Sequence, residues 1–220
     1  MASDHGTVLS VNVGGIRQFD YNGRQAVSAI WKAPVSGRVA AQGVNLAGDD
    51  QADRAAHGGP DKAVYAYAVE DTRWGESELG SELEPGQFGE NLTVEGLDVT
   101  NALVGERWEI GTTLLEVSEP RVPCWRLGVR MQDKRFIRRF TEARRPGSYL
   151  RIIGEGELGS GDEIQVIERP DHDVTVGDVF RIYTGDRDEA GRILDAPQIS
   201  TAWREWAEGL LTGPGCCDDS

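Results

Sequence analysis

The chain is best understood from residues 115–127, whose sequence is LEVSEPRVPCWRL. The apolar run at 113–117 predicts a β-strand, and the prolines that follow it predict where that strand gives way. Because proline is favoured just inside the start of a helix, Pro123 predicts a helix with Cys124 in its first turn. The sequence therefore predicts a strand-to-helix junction with a cysteine at the turning point.

Cys124 carries the most reactive side chain of this stretch. A helix N-terminus and the nearby guanidiniums of Arg121 and Arg126 favour the thiolate form of a cysteine. One interpretation is thus a reactive or metal-binding thiolate. The other is an inert core residue, because free cysteine is among the most buried residue types.

Composition narrows the class of protein. At 220 residues the chain can hold one sizeable core, or one domain with a small appendage. Its 28 glycines, between short apolar runs, favour a β-barrel over a helical bundle. The net charge of −14 disfavours binding to nucleic acid or anionic lipid, so we expect neither as a partner.

Cysteine usage and the N-terminus indicate the compartment. Three cysteines, of which Cys216 and Cys217 are adjacent, do not make a disulfide framework. The first residues lack the apolar core of a signal peptide, and the longest apolar run, 63–69, is too short to cross a bilayer. We expect a cytoplasmic, reduced protein.

Hydrophobic periodicity predicts a chain of short strands and some helices. The predicted strands span 8–13, 25–31, 37–41, 90–94, 107–110, 113–117, 148–153 and 163–168. Helices are predicted from 63 to about 76, and in the segment from Cys124 to about 144. The barrel domain would occupy 1–168.

The pattern becomes helical after a predicted linker at 169–171. Two sets of apolar residues keep helical spacing, namely Val176, Val179, Phe180 and Tyr183, and then Trp203, Trp206 and Leu210. A short helix is predicted between them, so 169–211 would be a linker and small three-helix domain, with a disordered tail at 212–220. A unit this small should pack on the barrel or on a second subunit, which makes a homodimer possible.

A polar loop at 43–60 carries further candidates. Its end, HGGPDK at 57–62, offers backbone N–H groups at His57, Gly58 and Gly59 that could cradle an anion. A plain turn is the alternative. Long polar loops with glycine pairs usually serve a site or are mobile.

The residues disfavour several kinds of chemistry. A zinc site needs three or four clustered ligands, whereas the three histidines are scattered. A cysteine hydrolase needs a histidine base near Cys124, and His57 is the one candidate in a motif-like loop. A single thiolate is enough when a metal arrives with its other ligands, as molybdenum does on a pterin dithiolene. The pterin phosphate would then need lysines, arginines and backbone N–H groups.

Five motifs occur in order: KAPVSG at 32–37, GDDQAD at 48–53, HGGPDKAVY at 57–65, FGENL at 88–92 and PRVPCWRL at 120–127. Together they resemble the MOSC family, named after the C-terminal domain of molybdenum cofactor sulfurase, and within it the YiiM-like proteins. The resemblance covers roughly 8–211. It implies a mixed α/β fold, mainly a closed, pyruvate kinase β-barrel-like barrel with flanking helices. It also implies that this domain binds molybdenum cofactor, with Cys124 as the metal ligand.

The resemblance also implies an activity, namely the detoxifying reduction of N-hydroxylated compounds such as 6-hydroxylaminopurine. Asp49, Asp53 and Glu90 are candidate proton donors, and loop hydrogen bonding is the alternative for each. The expected cofactor-binding residues are Lys32, His57, Gly58, Gly59, Lys62, Asn91, Arg121 and Arg126.

Two further hypotheses remain open. No flavin, haem or iron–sulfur motif is visible, so a reductase would need a separate electron-donor protein. The main rival is a molybdenum cofactor or sulfur carrier that uses Cys124 without reductase activity. A plain interaction protein with a buried Cys124 is the third.

Overall fold

Seven strands close a mixed β-barrel in the computed structural model, which describes residues 4–52 and 58–212. The strands within these ranges are β1 (His5–Val13), β2 (Arg17–Tyr21), β3 (Arg24–Ser28), β4 (Ala33–Pro34), β5 (Val39–Gln42), β6 (Asn45–Leu46), β7 (Val64–Ala68), β8 (Leu92–Glu95), β9 (Arg107–Ile110), β10 (Thr113–Pro120), β11 (Ser148–Gly154), β12 (Gly156–Leu158) and β13 (Glu163–Glu168). The barrel order is β13-β9-β10-β11-β7-β8-β1, and β1 pairs back to β13. The predicted closed β-barrel is confirmed.

One pair in the barrel, β7 with β8, is parallel, and the other neighbouring barrel strands are antiparallel. Two smaller sheets lie beside the barrel, a hairpin of β2 and β3 and a three-stranded sheet in the order β12-β5-β6. The α-helices are α1 (Val69–Leu79), α2 (Trp125–Arg130), α3 (Phe136–Ala143), α4 (Val176–Thr184) and α5 (Thr201–Thr212). Shorter 3₁₀ helices span Pro60–Lys62 and Arg187–Asp195. None of the helices in the described ranges has the length and apolar character needed to span a membrane.

The helix predicted from residue 63 was wrong over its first part. Val64–Ala68 is the strand β7, and the helix begins at Val69. All five side chains of β7 are buried, because the strand lies between β11 and β8 with apolar residues packed on both of its faces. A short apolar run buried on both faces has no alternation, so periodicity cannot separate it from a buried helix.

The C-terminal helices pack on the barrel through one continuous core. Val176, Val179 and Ile182 from α4 belong to the same buried cluster as Trp108 and the inward-facing residues of the barrel strands. Helix α4 begins with a capping box, in which Thr175 and Asp178 satisfy each other's backbone N–H groups. The segment contains two α-helices and a 3₁₀ helix between them. Its status as a separate domain stays a prediction, and the expected tail lies outside the described residues from 213 onward.

Strand β10 runs three residues further than predicted and ends at Pro120. Its last residues, Glu119 and Pro120, still pair with β11, which fixes where the chain leaves the barrel. Cys124 is the N-cap residue of α2, with extended backbone angles, and so lies just before the helix rather than in its first turn. The predicted strand-to-helix junction is therefore present, but the helix begins at Trp125, directly after Cys124.

Candidate functional site

A polar cleft lies at the end of the barrel where β10 leads into α2. Its walls bring together seven of the residues that the sequence predicted for the site: Lys32, Asp49, Lys62, Asn91, Arg121, Cys124 and Arg126. Gly58, Gly59 and Glu90 do not line it, and Asp53 and His57 lie outside the described residues. The cleft thus collects residues from all five sequence motifs.

Cys124 is a free, partly exposed cysteine in the wall of this cleft. It lies outside the buried apolar clusters of the described chain. Its position at the N-cap of α2 follows from the short connection, residues 121–123, between the end of β10 and the helix. The thiol is therefore placed where a ligand in the cleft could contact it.

Arg121 is a charged residue of the cleft that is almost completely buried, at 5% exposure. The guanidinium lies 5.8 Å from the ring centroid of Tyr65 and 5.6 Å from that of Phe140. Its Nη1 finds no hydrogen-bond partner within residues 4–52 and 58–212. A buried donor without a partner destabilises the folded protein by about 1–3 kcal/mol. An anionic ligand that accepts a hydrogen bond from Nη1 would remove this cost.

The opposite wall is a hydrogen-bonded network centred on Asp49. Lys32 Nζ lies 2.5 Å from both carboxylate oxygens of Asp49. Oδ1 also accepts from the backbone N–H of Gly14 at 2.9 Å, and Oδ2 accepts from Nδ2 of Asn91 at 2.9 Å. Burial lowers the pKa of Lys32, and the charge of Asp49 acts in the opposite direction. These groups form a fixed wall, since their charges and donors are largely satisfied by one another.

Glu90 lies behind the cleft and supports a turn. Its carboxylate accepts hydrogen bonds from the backbone N–H groups of Gly86 at 2.5 Å and Phe88 at 3.0 Å, and from the Thr93 hydroxyl at 2.9 Å. Burial raises the pKa of Glu90, and these hydrogen bonds act in the opposite direction. The sequence left two roles open for Glu90, proton donation and loop hydrogen bonding, and this geometry corresponds to the second.

Two further cations line the cleft. Lys62 Nζ lies 3.2 Å from Oε1 of Glu119, whose side chain is buried. The Arg126 guanidinium stacks 4.8 Å from the centroid of the Trp125 ring, and its Nε donates to the carbonyl oxygen of Val27 at 3.5 Å. Both cations keep a share of their surface open, so they can contact a ligand without leaving these partners.

A second cavity adjoins the cleft on the side of the C-terminal helices. We call it the aromatic cavity, and its lining includes Glu119, Pro123, Tyr183, Ala202, Trp203 and Trp206. Four residues line both spaces, namely Lys62, Val122, Cys124 and Tyr149. Cys124 therefore stands at the junction of a polar and an aromatic space.

Sequence reasoning missed Glu119 and Tyr149 as site residues. The two lie opposite each other in the β10–β11 register, so they reach the junction through strand pairing. Burial raises the pKa of Tyr149 to about 12, and the charge of Arg121 acts in the opposite direction. Glu119 lies within the stretch 115–127, which was the one sequence signal that could have suggested it.

Across the described parts of the chain, no group of three or more His, Cys, Asp and Glu side chains is arranged to hold a metal ion. Cys124 is the one free cysteine within those same ranges. The donor set that the structure offers is one partly exposed thiol with basic side chains beside it. That set fits a metal that brings other ligands together with an anionic group.

Similarity to known proteins agrees with this geometry. The chain is 32% identical over 207 residues to the uncharacterized protein YflK of Bacillus subtilis, covering 93% of this chain and 94% of that protein. A protein named reductase from Gibberella moniliformis is 32% identical over 169 residues, which are 75% of this chain but 30% of the fungal protein. The crystal structure of YiiM from Geobacillus stearothermophilus superposes with a TM-score of 0.78 at 29% identity, covering 94% of this chain and 100% of that one.

The family model for the MOSC domain matches residues 53–165. The matched region ends within β13 and contains Lys62, Arg121 and Cys124. The barrel, with a free cysteine at its end, agrees with these similarities along the length of the chain. The match to the family model shows that the chain belongs to the MOSC-domain family.

Proposed function

We propose that this protein is a molybdenum cofactor-dependent reductase of N-hydroxylated compounds, with Cys124 as the metal ligand. The observation that carries the proposal is the pairing, in one cleft, of a partly exposed thiol with a buried guanidinium nitrogen that lacks a partner in the described chain. Family membership supports binding of molybdenum cofactor, and the relative named reductase supports an oxidoreductase role.

The residues of the cleft fit the chemistry of the cofactor. Thiolate is a soft ligand of the kind that a pterin-bound molybdenum accepts. Arg121 Nη1 would take a phosphate oxygen, with Arg126 and Lys62 completing the charge-assisted contacts. His57, Gly58 and Gly59 stay proposals for the same phosphate. The wall of Lys32, Asp49 and Asn91 would orient the polar edge of the pterin.

The cofactor, when bound, supplies the two-electron reduction of N–OH to N–H plus water, which also consumes two protons. The chain must deliver those protons beside Cys124. Glu119 is a buried carboxylate in contact with Lys62, and both line the spaces that meet at the cysteine. We assign proton delivery first to this pair, and then to Asp49, which also lines the cleft. Asp53 stays a sequence-based proposal.

Electrons would come from a separate reductase protein, in a reducing cytoplasmic compartment that keeps Cys124 as a thiol. The competing proposal is a cofactor or sulfur carrier, which would use the same cysteine without turnover. Partial exposure of Cys124 suits a carrier as well as an enzyme. The aromatic cavity beside the cysteine favours the enzyme, because a carrier needs no space for a second small molecule.

The experiment is to express the full chain in two hosts, one able and one unable to make molybdenum cofactor. Molybdenum and pterin content are measured first, and reduction of an N-hydroxylated compound by a chemical electron donor is measured second. The proposal requires bound molybdenum and turnover in the first preparation alone. Bound cofactor without turnover would support the carrier. If neither preparation contains the cofactor or shows turnover, the reductase proposal and the carrier proposal are both wrong.

A further inference from the structure

We infer that a basic surface beside the polar cleft docks an acidic protein that carries the electrons needed by the proposed reduction. The basic surface consists of the hairpin of β2 and β3, helix α2 and the turn after that helix. This inference rests on the proposed reductase function and deepens it, because it gives the place and the charge of the donor partner. Docking can be measured without turnover, so its failure and the failure of the reductase proposal are distinguishable.

The basic residues of the chain are concentrated in one segment. Nine of the 23 lysines and arginines fall within 121–145, which contains two acidic residues, Asp133 and Glu142. The rest of the chain is therefore more acidic than the net charge of −14 alone indicates. A local positive field on such a chain attracts an acidic partner to one place and repels it from others.

The hairpin adds two arginines to this segment. Arg17, Phe19 and Tyr21 alternate along β2 and so share one face, and the strand register places Arg24 opposite Tyr21 on that face. The Tyr21 ring stacks on Trp125 of α2 with 4.3 Å between the centroids, and the Phe19 ring lies 5.9 Å from the same tryptophan. This face of the hairpin therefore packs on the start of α2, with an arginine at each end of the aromatic pair.

The exposed cations of the basic surface are not neutralised by neighbouring carboxylates. Lys134, in the turn after α2, is exposed and lies 5.9 Å from the centroid of the Tyr21 ring. Arg17, Arg24 and Lys134 form no ion pair within residues 4–52 and 58–212. By contrast, the exposed Arg38 is held by a carboxylate at 2.6 Å. The three free cations are therefore available to a partner.

Positive charge has accumulated on this surface at a cost to the protein. Burial lowers the pKa of Arg130 in α2, and the charge of Arg17 acts in the same direction, against the charge of Glu90. Arg130 Nε also lacks a hydrogen-bond partner in the described chain. A carboxylate supplied by a partner would reduce the repulsion between the two arginines.

The basic surface is continuous with the rim of the polar cleft. Residues 28–30, which come at the end of β3 and just after it, line the cleft, and so does Arg126, whose guanidinium stacks on Trp125. Helix α2 begins directly after Cys124. A protein docked on the hairpin and α2 would thus lie beside the cysteine, which is where the proposed reduction needs its electrons.

The reaction determines what kind of complex is needed. Reduction of N–OH to N–H and water takes two electrons and two protons, so a carrier of single electrons must dock and leave twice in each turnover. Complexes of this kind are small, and charge complementarity speeds their association without a large apolar interface. Cations around partly exposed tyrosine and tryptophan rings have the composition of such an interface, since Arg, Tyr and Trp are enriched at docking surfaces.

The probe is a plant-type ferredoxin, which is a small, acidic carrier of one electron. Its binding to the full chain is measured by NMR titration at low salt and again at about 0.15 M salt, where exposed charges are screened. Arg17→Glu reverses one charge of the basic surface and should fold, because it places a carboxylate near Arg130. Arg187→Glu is the matched control, since this exposed arginine lies in the C-terminal segment and also has no ion pair in the described chain.

We expect binding of ferredoxin at low salt that weakens about tenfold at about 0.15 M. Arg17→Glu should weaken the binding at low salt about fivefold or more, and Arg187→Glu should change it less than about twofold. No binding at low salt, or an equal loss in both variants, would overturn the inference. An equal loss would mean that only the net charge matters.

Nucleic acid is the other acidic macromolecule that a basic surface could bind. We expect a single-stranded DNA oligonucleotide to bind more weakly than ferredoxin at the same salt, because the acidic remainder of the chain repels a long polyanion. Tighter binding of the oligonucleotide, lost in Arg17→Glu, would make this a nucleic-acid site, and the inference would be wrong.

Turnover of protein from the cofactor-competent host separates docking from the reduction itself. With reduced ferredoxin as donor, Arg17→Glu should raise the KM for ferredoxin about fivefold, and with a chemical donor its rate should equal that of wild type. An equal loss with both donors would mean that Arg17 acts on the fold or the cofactor site, and the inference would be wrong. If wild type carries no molybdenum, the reductase proposal fails, and the titration alone decides whether the surface docks an acidic protein.

Discussion

The polar cleft and the aromatic cavity meet at Cys124 but are built in different ways. The wall of the cleft is a network in which Lys32, Asp49 and Asn91 satisfy one another, with Arg121 as its one donor lacking a partner in the described chain. The wall of the cavity is a set of rings from the C-terminal helices. The ionic network is fixed because its groups satisfy one another, so Arg121, Lys62 and Arg126 are left to bind an anion, whereas an aromatic wall selects a ligand by its shape. The difference assigns anion binding to the first space and ring binding to the second.

Breaking the ionic wall should have the largest effect on stability. Lys32→Met leaves the buried carboxylate of Asp49 without its cation, and loss of one partner of a buried pair costs about 3–5 kcal/mol. Urea unfolding followed by circular dichroism measures the change. Lys134→Met is the control at an exposed lysine and should stay within about 0.5 kcal/mol of wild type. Equal stability of the two variants would mean that the pair is not a structural element.

Breaking the aromatic wall should have a smaller effect. Trp206 packs against Tyr183 and Trp203 but is only partly buried, so Trp206→Ala should cost about 2–3 kcal/mol, below the value for a fully buried tryptophan. The melting temperature should fall clearly, while the exposed neighbour Glu205→Ala should leave it nearly unchanged. An unchanged melting curve for Trp206→Ala would show that the ring is not packed.

The turn behind the cleft offers a test with a defined pH dependence. Glu90→Gln replaces one acceptor oxygen by an NH₂ group facing a backbone donor, which should cost about 2 kcal/mol. Burial raises the folded-state pKa of Glu90 above its ordinary value of 4.5, so the protonated form is favoured on folding. The stability from this titration is fully present below pH 4.5 and is lost as the pH rises through the folded-state pKa.

Urea unfolding of wild type and Glu90→Gln at pH 5 and pH 8 checks that direction. The advantage of wild type should be larger at pH 5 than at pH 8, because the variant lacks this titration. A larger advantage at pH 8 would mean that the ionised carboxylate is the form stabilised by the turn. Both proteins must unfold reversibly at each pH for the comparison to be made.

Arg121 should have the smallest effect on stability and a specific effect on the cofactor. Arg121→Met keeps an apolar side chain against Tyr65 and Phe140 and removes the partnerless donor. We expect about a tenfold loss in cofactor retention, equivalent to about 1.4 kcal/mol, with little change in stability. Arg138→Met, at an exposed arginine on α3, is the matched control and should retain the cofactor. Full pterin content in Arg121→Met would contradict the phosphate assignment.

The sequence predicted the parts of the site that lie in short local motifs. The helix start after Pro123 and the cation at Arg121 could be inferred because they are neighbours of Cys124 in the chain. The strand β7 was mistaken for helix because its burial on both faces depends on strands far away in sequence. The closed barrel itself was correctly predicted.

Glu119 and Tyr149 could not be placed at the site from the sequence, because the register between β10 and β11 brings them together. The aromatic stripe of the C-terminal helices was predicted as packing. Its position beside Cys124 depends on how those helices sit on the barrel, which no local pattern encodes. Lys32 and Asp49 were both predicted, but their pairing was not, since it joins two loops.

The most direct test of the account is molybdenum X-ray absorption spectroscopy on wild type and Cys124→Ser from a cofactor-competent host. Cys124→Ser should fold, because the change is small and the side chain is partly exposed. It should either lose molybdenum or show one sulfur ligand fewer than wild type, and it should not reduce N-hydroxylated substrates. The double variant Cys216→Ser/Cys217→Ser is the control and should match wild type. A Cys124→Ser protein with the wild-type number of sulfur ligands and the wild-type rate would contradict the assignment of Cys124 as the metal ligand.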